Sequence, residues 1–554
     1  MRSPVAEVLQ VKKTDISRHG VWVLAAAMLL ALGACSNDKK PEETTGGSTG
    51  PLKIDSVIFE PKVAAPGDTL LFTAVVTSSG ENAGDFPVYE WSANGGTLLE
   101  TNKQSVRWAS PNASGVYTLT CKATNDVNST TNKGSVFIGT GENLVTGNAG
   151  QVDLIGTGPN FHFLRSLDIK LGVDISNYDY GSHTATDAVP PQIPNGAAVA
   201  YSGDGLWAAY QTDTTLVGIV GKARNLYLAD FSSQTANRFT SDGSRPGSAE
   251  RNLYNQPSFS PNSEVIAYQR LAQSWDAVAT DSFHVYIYDR VQQKRTKVTY
   301  EWPYPRGFFP TFSTDSKWLV YVLDVTRTGA WELYGSPMTG NTVDGSIAAT
   351  VRMTNTGGAI MSGAPRELKR PPMAWNPVMP ILAFAGADNV LYLVQTTSTG
   401  SNVIPVTEVQ HANEVAWSAD GSKVAASYWV TENDEVHYKV ATITAAGVVT
   451  VRATALVGDL LRDLAFSPDG QWLLYRVTRG GSMWFNIVDT GAGKLTEPVA
   501  VTPADPIGLS NDYHNIMSLR PAWTSANLMI YPAFGTSANN TAGIWVRSLA
   551  GVIN

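Results

Sequence analysis

Seven times the chain writes nearly the same dozen residues, an aromatic followed by a small polar turn and an aliphatic strand, at intervals of 42 to 63 residues. The copies begin Tyr201-Ser-Gly-Asp-Gly, Phe259-Ser-Pro-Asn-Ser, Phe312-Ser-Thr-Asp-Ser, Trp375-Asn-Pro, Trp417-Ser-Ala-Asp-Gly, Phe466-Ser-Pro-Asp-Gly and Trp523-Thr-Ser. Repetition at this period marks an array of identical supersecondary units. Each copy reads as a tight hairpin, with Pro at the first central turn position, Asp at the second and Gly where the backbone turns left-handed. A further strand pair follows most copies, as in Asn225-Leu-Tyr-Leu-Ala-Asp230 and His284-Val-Tyr-Ile-Tyr-Asp289, with a shorter Thr-ended strand behind, as in Val351-Arg-Met-Thr354. Four strands in about 50 residues is the arithmetic of a propeller blade.

The aromatic-Ser-Pro-Asp-Gly…Ile-Ala-Tyr core resembles the WD40-like repeats of the TolB-type propeller family, over roughly residues 141–554. The fold class is therefore all-β, with a propeller of seven blades; six would make one copy a decorated hairpin. The copies at Trp375 and Trp523 lack the Asp-Gly turn, so their units rest on flanking strands and spacing. The chain stops soon after Gly543-Ile-Trp-Val-Arg-Ser548, without an outermost strand. An upstream segment, from Asn143 to Leu154 or Phe161 to Leu171, is expected to pair there, because an open ring would leave an unpaired sheet edge.

Residues 53–140 alternate strands and turns in the manner of a β-sandwich. Gly115-Val-Tyr-Thr-Leu-Thr-Cys121 resembles the late strand of PKD or Ig-like modules, and Trp91 falls where their core Trp would. The strand that would hold a partner cysteine reads Leu70-Leu-Phe-Thr-Ala-Val-Val76, so Cys121 is expected to be a buried thiol. The resemblance implies a spacer or adhesive unit.

At the N-terminus, Arg2, Lys12, Lys13 and Arg18 precede an apolar run from Val21 to Ala34. The run is too short to span a bilayer and fits a signal peptide over residues 1–34. Its Leu32-Gly-Ala-Cys35 ending resembles a bacterial lipobox, which implies lipidation of Cys35, and Ser36 behind it implies sorting to the outer membrane, facing the periplasm or the exterior. Residues 35–52, polar and rich in Gly, Ser and Thr, are expected to form a flexible tether. Gly46-Gly-Ser48-Thr-Gly50 matches a nucleophile-elbow pattern, but that motif needs a strained strand-to-helix turn and here lies in the tether.

Charged residues make up 16% of the chain and the net charge is −8. No basic run or stripe points to nucleic acid. The seven His are scattered without a close pair, so no metal and no cofactor are expected.

In a propeller the loops leading to the innermost strands converge on one channel mouth. Those loops hold Arg251 and Tyr254, Trp302, Tyr304 and Arg306, Arg370, His411 and Glu414, Arg462 and Asp463, and His514 and Arg520. The set is expected to engage a protein or polysaccharide partner, with no catalysis. Proline-stiffened Trp302-Pro-Tyr304-Pro-Arg306 presents aromatics at low entropy cost, as interface hot spots do, or else plugs the space between blades. The alternative is an enzyme: TolB-like propellers include an oligogalacturonate lyase family. In that reading Arg251, Arg306, Arg370 and Arg520 neutralise carboxylates of an acidic polysaccharide, and His411 or His514 is the base. A third reading is a purely structural envelope component.

Overall fold

The computed structural model describes residues 52–60, 63–78, 87–125, 127–139, 142–147, 154–155, 160–168, 172–179, 184–187, 197–215, 222–240, 250–274, 282–302, 306–324, 331–356, 372–386, 388–502, 505–506, 521–523, 528–533 and 543–553. The leader, Cys35 and the tether as far as residue 51 lie outside them, while Leu52, expected in the tether, opens the first strand.

The turn motif explains itself atom by atom. In the copy at Phe466, the Ser467 hydroxyl donates to Asp469 Oδ1 and accepts the Trp472 N–H at 3.0 Å, while Asp469 Oδ1 accepts the Gln471 N–H at 3.0 Å. The same contact recurs at Ser202–Asp204, Ser313–Asp315 and Ser418–Asp420, and to an amide oxygen at Ser260–Asn262. Gly205, Gly421 and Gly470 take the positive φ that closes the turn, and Ser263 and Ser316 take it in the copies without glycine. Short side chains thus satisfy the turn's own backbone, which is why the residue types repeat.

Each turn joins the first two strands of an antiparallel four-stranded unit, for example Leu460–Phe466, Trp472–Arg479, Ser482–Asp489 and Val499–Ala500. Successive first strands lie side by side: Ala197–Tyr201 beside Glu250–Phe259, then Arg306–Phe312; further on Met373–Trp375 beside Glu414–Trp417, Leu460–Phe466 and Ala522–Trp523. Apolar clusters fill the space between neighbouring units, Leu391, Val415 and Tyr428 in one and Leu464, Leu473 and Val440 in the next. First strands gathered inward with cores between units make a β-propeller. Tryptophans stitch the units: Trp417 Nε1 donates to Ala374 O at 2.8 Å and Trp523 Nε1 to Ala465 O at 2.9 Å, each reaching the preceding unit's first strand.

The last unit, Ala522–Trp523, Leu528–Ala533 and Gly543–Ser548, is completed by Glu142–Gly147. The expected upstream closing strand is therefore the first of the two named segments. The second belongs to a separate four-stranded meander over 154–187, which carries no turn motif and which the motif count did not anticipate.

Residues 52–139 form two facing sheets. One contains Leu52–Glu60, Thr69–Ser78, Ser105–Ala109 and Thr97–Leu98; the other contains Ser129–Ile138, Gly115–Thr124 and Val88–Ala93. Phe72, Trp91, Trp108 and Cys121 meet in the shared core, where Cys121 is a free thiol paired in register with Trp91. This sandwich is continuous with the propeller. Its strand Ser129–Ile138 pairs in parallel with Val499–Ala500, at Val136 and Ala500, so sandwich and propeller share a sheet.

Candidate functional site

The first strands bend before they reach the channel. Register shifts at Asn255/Ser258, Phe308/Thr311 and Arg462/Ala465 mark bulges, and Gln256, Phe309 and Asp463 within them have φ of 53°, 54° and 57°. A bulge frees a backbone N–H from the ladder. Two of these are taken by the neighbouring unit: Gln256 Oε1 accepts the Phe309 N–H at 3.2 Å, and Glu414 Oε2 accepts the Asp463 N–H at 2.5 Å.

Around Asp463 a polar cluster joins two adjacent units. The Asp463 carboxylate pairs with Arg476, whose Nη1 donates to Thr478 Oγ1 at 3.1 Å. One step outward, Arg479 holds Asp459 through two contacts of 2.5 Å and lies 5.6 Å over the Trp484 ring. Asp459, with the Glu60 carboxylate of the sandwich, holds the Arg479 guanidinium above its usual range, against the effect of burial. Asp459 is buried, and Glu414 nearly so. His411, at φ 51°, stacks flat on Trp429 with centroids 3.8 Å apart. Beside it, buried Asn413 Nδ2 and Ser427 Oγ have no hydrogen-bond partner among the described residues. Arg462 is exposed.

Of the residues expected at the mouth, Glu414 and Asp463 meet between two adjacent units, while His411 packs on Trp429 of its own unit and Arg462 is exposed. Tyr254 does not: at 1% exposure it is core, packed at 6.0 Å against Tyr268 between the first two motif-bearing units. The strand Glu250–Phe259 runs further back than the motif suggests, which carries Tyr254 into the sheet. Trp302 is half-buried, its ring meeting Tyr334 edge-on at 6.0 Å and packing against the cluster around Phe312 and Tyr321, which is the arrangement of the packing alternative. Phe308 is buried between units. The side chains of Arg251 and Arg306 and the residues Tyr304, Arg370, His514 and Arg520 lie outside the described residues, and with them most of the lyase set.

Asp459, Arg476 and Arg479 went unread in the sequence, although a signal exists. Leu460 pairs with Thr478 across the Phe466 hairpin, so counting one step outward sets Asp459 opposite Arg479.

Chemically, the described carboxylates are committed to backbone N–H groups and guanidinium ions. Among the described residues no group of three or more His, Cys, Asp or Glu could hold a metal ion.

No family model matches the sequence, and no curated protein does. Solved structures show partial likeness. TolB from Acinetobacter baumannii is 14% identical, with 73% of this chain and 77% of that one covered, at a TM-score of 0.30. The Swd1 β-propeller domain of Myceliophteria thermophila is 11% identical, covering 73% and 99%, at 0.37. Prolyl oligopeptidase B from Galerina marginata is 10% identical, covering 73% and 56%, at 0.44, so the chain spans just over half of that protein. These neighbours are of the β-propeller type; the class of this protein, an all-β propeller joined to a sandwich, rests on its own strand topology.

Proposed function

We propose that the protein is a lipid-anchored scaffold of the bacterial envelope, whose propeller mouth engages a protein or glycan partner without catalysis. The observation that carries this is the division of labour around Asp463. The acids there are bound internally, while Arg462 is exposed on one unit and the His411–Trp429 stack is half-exposed on the unit before it. An exposed cation and a flat aromatic surface on adjacent units suit recognition of an anionic or polar segment. The lipobox ending at Cys35 supports the anchor, and no helix among the described residues is long and apolar enough to cross a membrane.

In this reading residues 53–140 are an Ig/PKD-like sandwich. The propeller is assigned eight blades, the seven that carry motifs plus the meander over 154–187. The closing strand Glu142–Gly147 supports this count, because it ends where that meander begins and Ala197–Tyr201 follows the meander directly.

The test is a pull-down from envelope extract with the chain from Asp38 onward, beside Arg462→Ala and His411→Ala variants. A partner held by the wild type and released by the variants supports the mouth. Equal recovery by all three refutes it. Metabolic labelling with a fatty acid, lost in Cys35→Ser, tests the anchor independently.

A further inference from the structure

The sandwich strand Ser129–Ile138 serves two cores at once. Side chains alternate across a strand, and Val136 and Ile138 accordingly enter the sandwich core beside Trp91 and Trp108. Phe137, between them, points the other way and is 1% exposed in the propeller cluster that holds Trp472, Phe485, Trp523 and Tyr531. An uninterrupted Val-Phe-Ile run at the end of an otherwise alternating strand is what burial on both faces produces.

Three further contacts converge on Phe137. The Arg547 guanidinium lies 5.7 Å over its ring and donates to Val501 O at 2.7 Å. Arg547 belongs to Gly543–Ser548, the strand closed by Glu142–Gly147, and pairs with Glu142 in register. Behind it the C-terminal turn Ala550–Ile553 packs on the sandwich strands, with Leu549 and Val552 buried in the same cluster as Phe137. A Cβ on Gly551 would sit 3.0 Å from Gly115 N and 3.2 Å from the Phe137 ring, so the turn's fit depends on glycine there. Lys494 Nζ reaches Ile553 O at 2.6 Å, and Lys133 reaches Glu497 at 3.3 Å. Only three residues separate the sandwich strand from the closing strand.

We infer that the sandwich is a clasp on the ring closure. The seam between Glu142–Gly147 and Gly543–Ser548 opens when Phe137 and the C-terminal turn leave their seat, and holds while they stay. A ring closed by one strand from the other chain end is only as strong as that strand's hold. Here the hold is shared with a folded domain whose N-terminal end continues into the expected membrane tether. Events at the sandwich, whether a partner binding or tension on the anchor, thereby reach the last blade.

Hydrogen exchange on the full-length chain tests this, comparing wild type with Gly551→Val and Phe137→Ala. The clasp predicts that amides of 142–147 and 543–548 exchange about tenfold faster or more in both variants, while amides around Trp91 and Trp108 keep wild-type protection. Faster exchange confined to the sandwich edge and the 550–553 turn, with the seam unchanged, would overturn it. Should Phe137→Ala fail to fold, Phe137→Leu replaces it, with the same two outcomes read at the seam.

Discussion

Glu414 Oε2 accepts the backbone N–H of Asp463 across the gap between two propeller units, at 2.5 Å, and Gln256 Oε1 does the same for Phe309. In both places a side chain from one unit occupies the N–H that a bulge in the next has released. Glu414→Ala leaves that buried donor without a partner and is expected to lower stability by about 2 kcal/mol. Glu414→Gln, which copies the Gln256 arrangement, should recover most of this. Denaturant midpoints check it; equal losses in the two variants would show that the hydrogen bond is not what matters.

Two turn glycines with the same backbone sign should respond differently to alanine. Gly421 and Gly470 have φ of 69° and 66°. A Cβ at Gly470 meets Ser418 Cβ at 3.3 Å, whereas at Gly421 it would lie 2.3 Å from Asn376 Oδ1, and Asn376 is fully buried and donates to Gly421 O at 2.7 Å. Gly470→Ala is expected to cost about 1 kcal/mol, the left-handed penalty alone. Gly421→Ala should cost about 3 kcal/mol, because the inter-unit hydrogen bond must also give way. Thermal melts of the two variants that coincide would contradict the argument.

Much of this was legible in the sequence because the turn chemistry is local. Ser467, Asp469 and Gly470 satisfy one another within a few residues, so the pattern survives in five of the seven copies, with Asn for Asp or Ser for Gly in some, and announces a hairpin. The meander over 154–187 has no such turn and stayed hidden for that reason. The mouth was half legible. Glu414 and Asp463 do meet, but Tyr254 was misplaced, since an aromatic next to a first strand packs between units as readily as it faces the channel. Phe137 was overlooked because its significance lies in a neighbour more than 300 residues away.

The His284 imidazole predicts a pH dependence. Burial, with the cations of Lys297 and Arg270 beside it, pushes its pKa down from 6.5 to about 4. Between those values the unfolded chain takes up a proton that the folded chain refuses, so folding weakens as pH falls from about 6.5 to about 4, and below that the loss is complete. The contribution is fully present above the unfolded value. His284→Gln removes the titrating group, and the difference in denaturant midpoint between variant and wild type should shift in the variant's favour across this window. A difference independent of pH would mean that His284 charges as readily in the folded chain as in the unfolded one.

Cys121 offers a probe for the coupling of the two domains. Its thiol is wholly buried beside Trp91, and burial pushes its pKa up to about 11. Since the thiolate is the reactive form, it should resist a disulfide reagent near neutral pH until the sandwich opens. In a Cys35→Ser chain, Cys121 is the sole cysteine, so its reaction reports that opening alone. Phe137 ties the sandwich strand to the core between the last two units, so loss of either core strips packing from the other. Labelling of Cys121 along a denaturant series should therefore track the loss of propeller β-structure, with one midpoint for both signals. In Gly551→Val, where the C-terminal turn is displaced, the two curves should part, the thiol becoming accessible at a different denaturant concentration from the rest. Separate midpoints already in the unaltered chain would show two independent domains joined only by sequence.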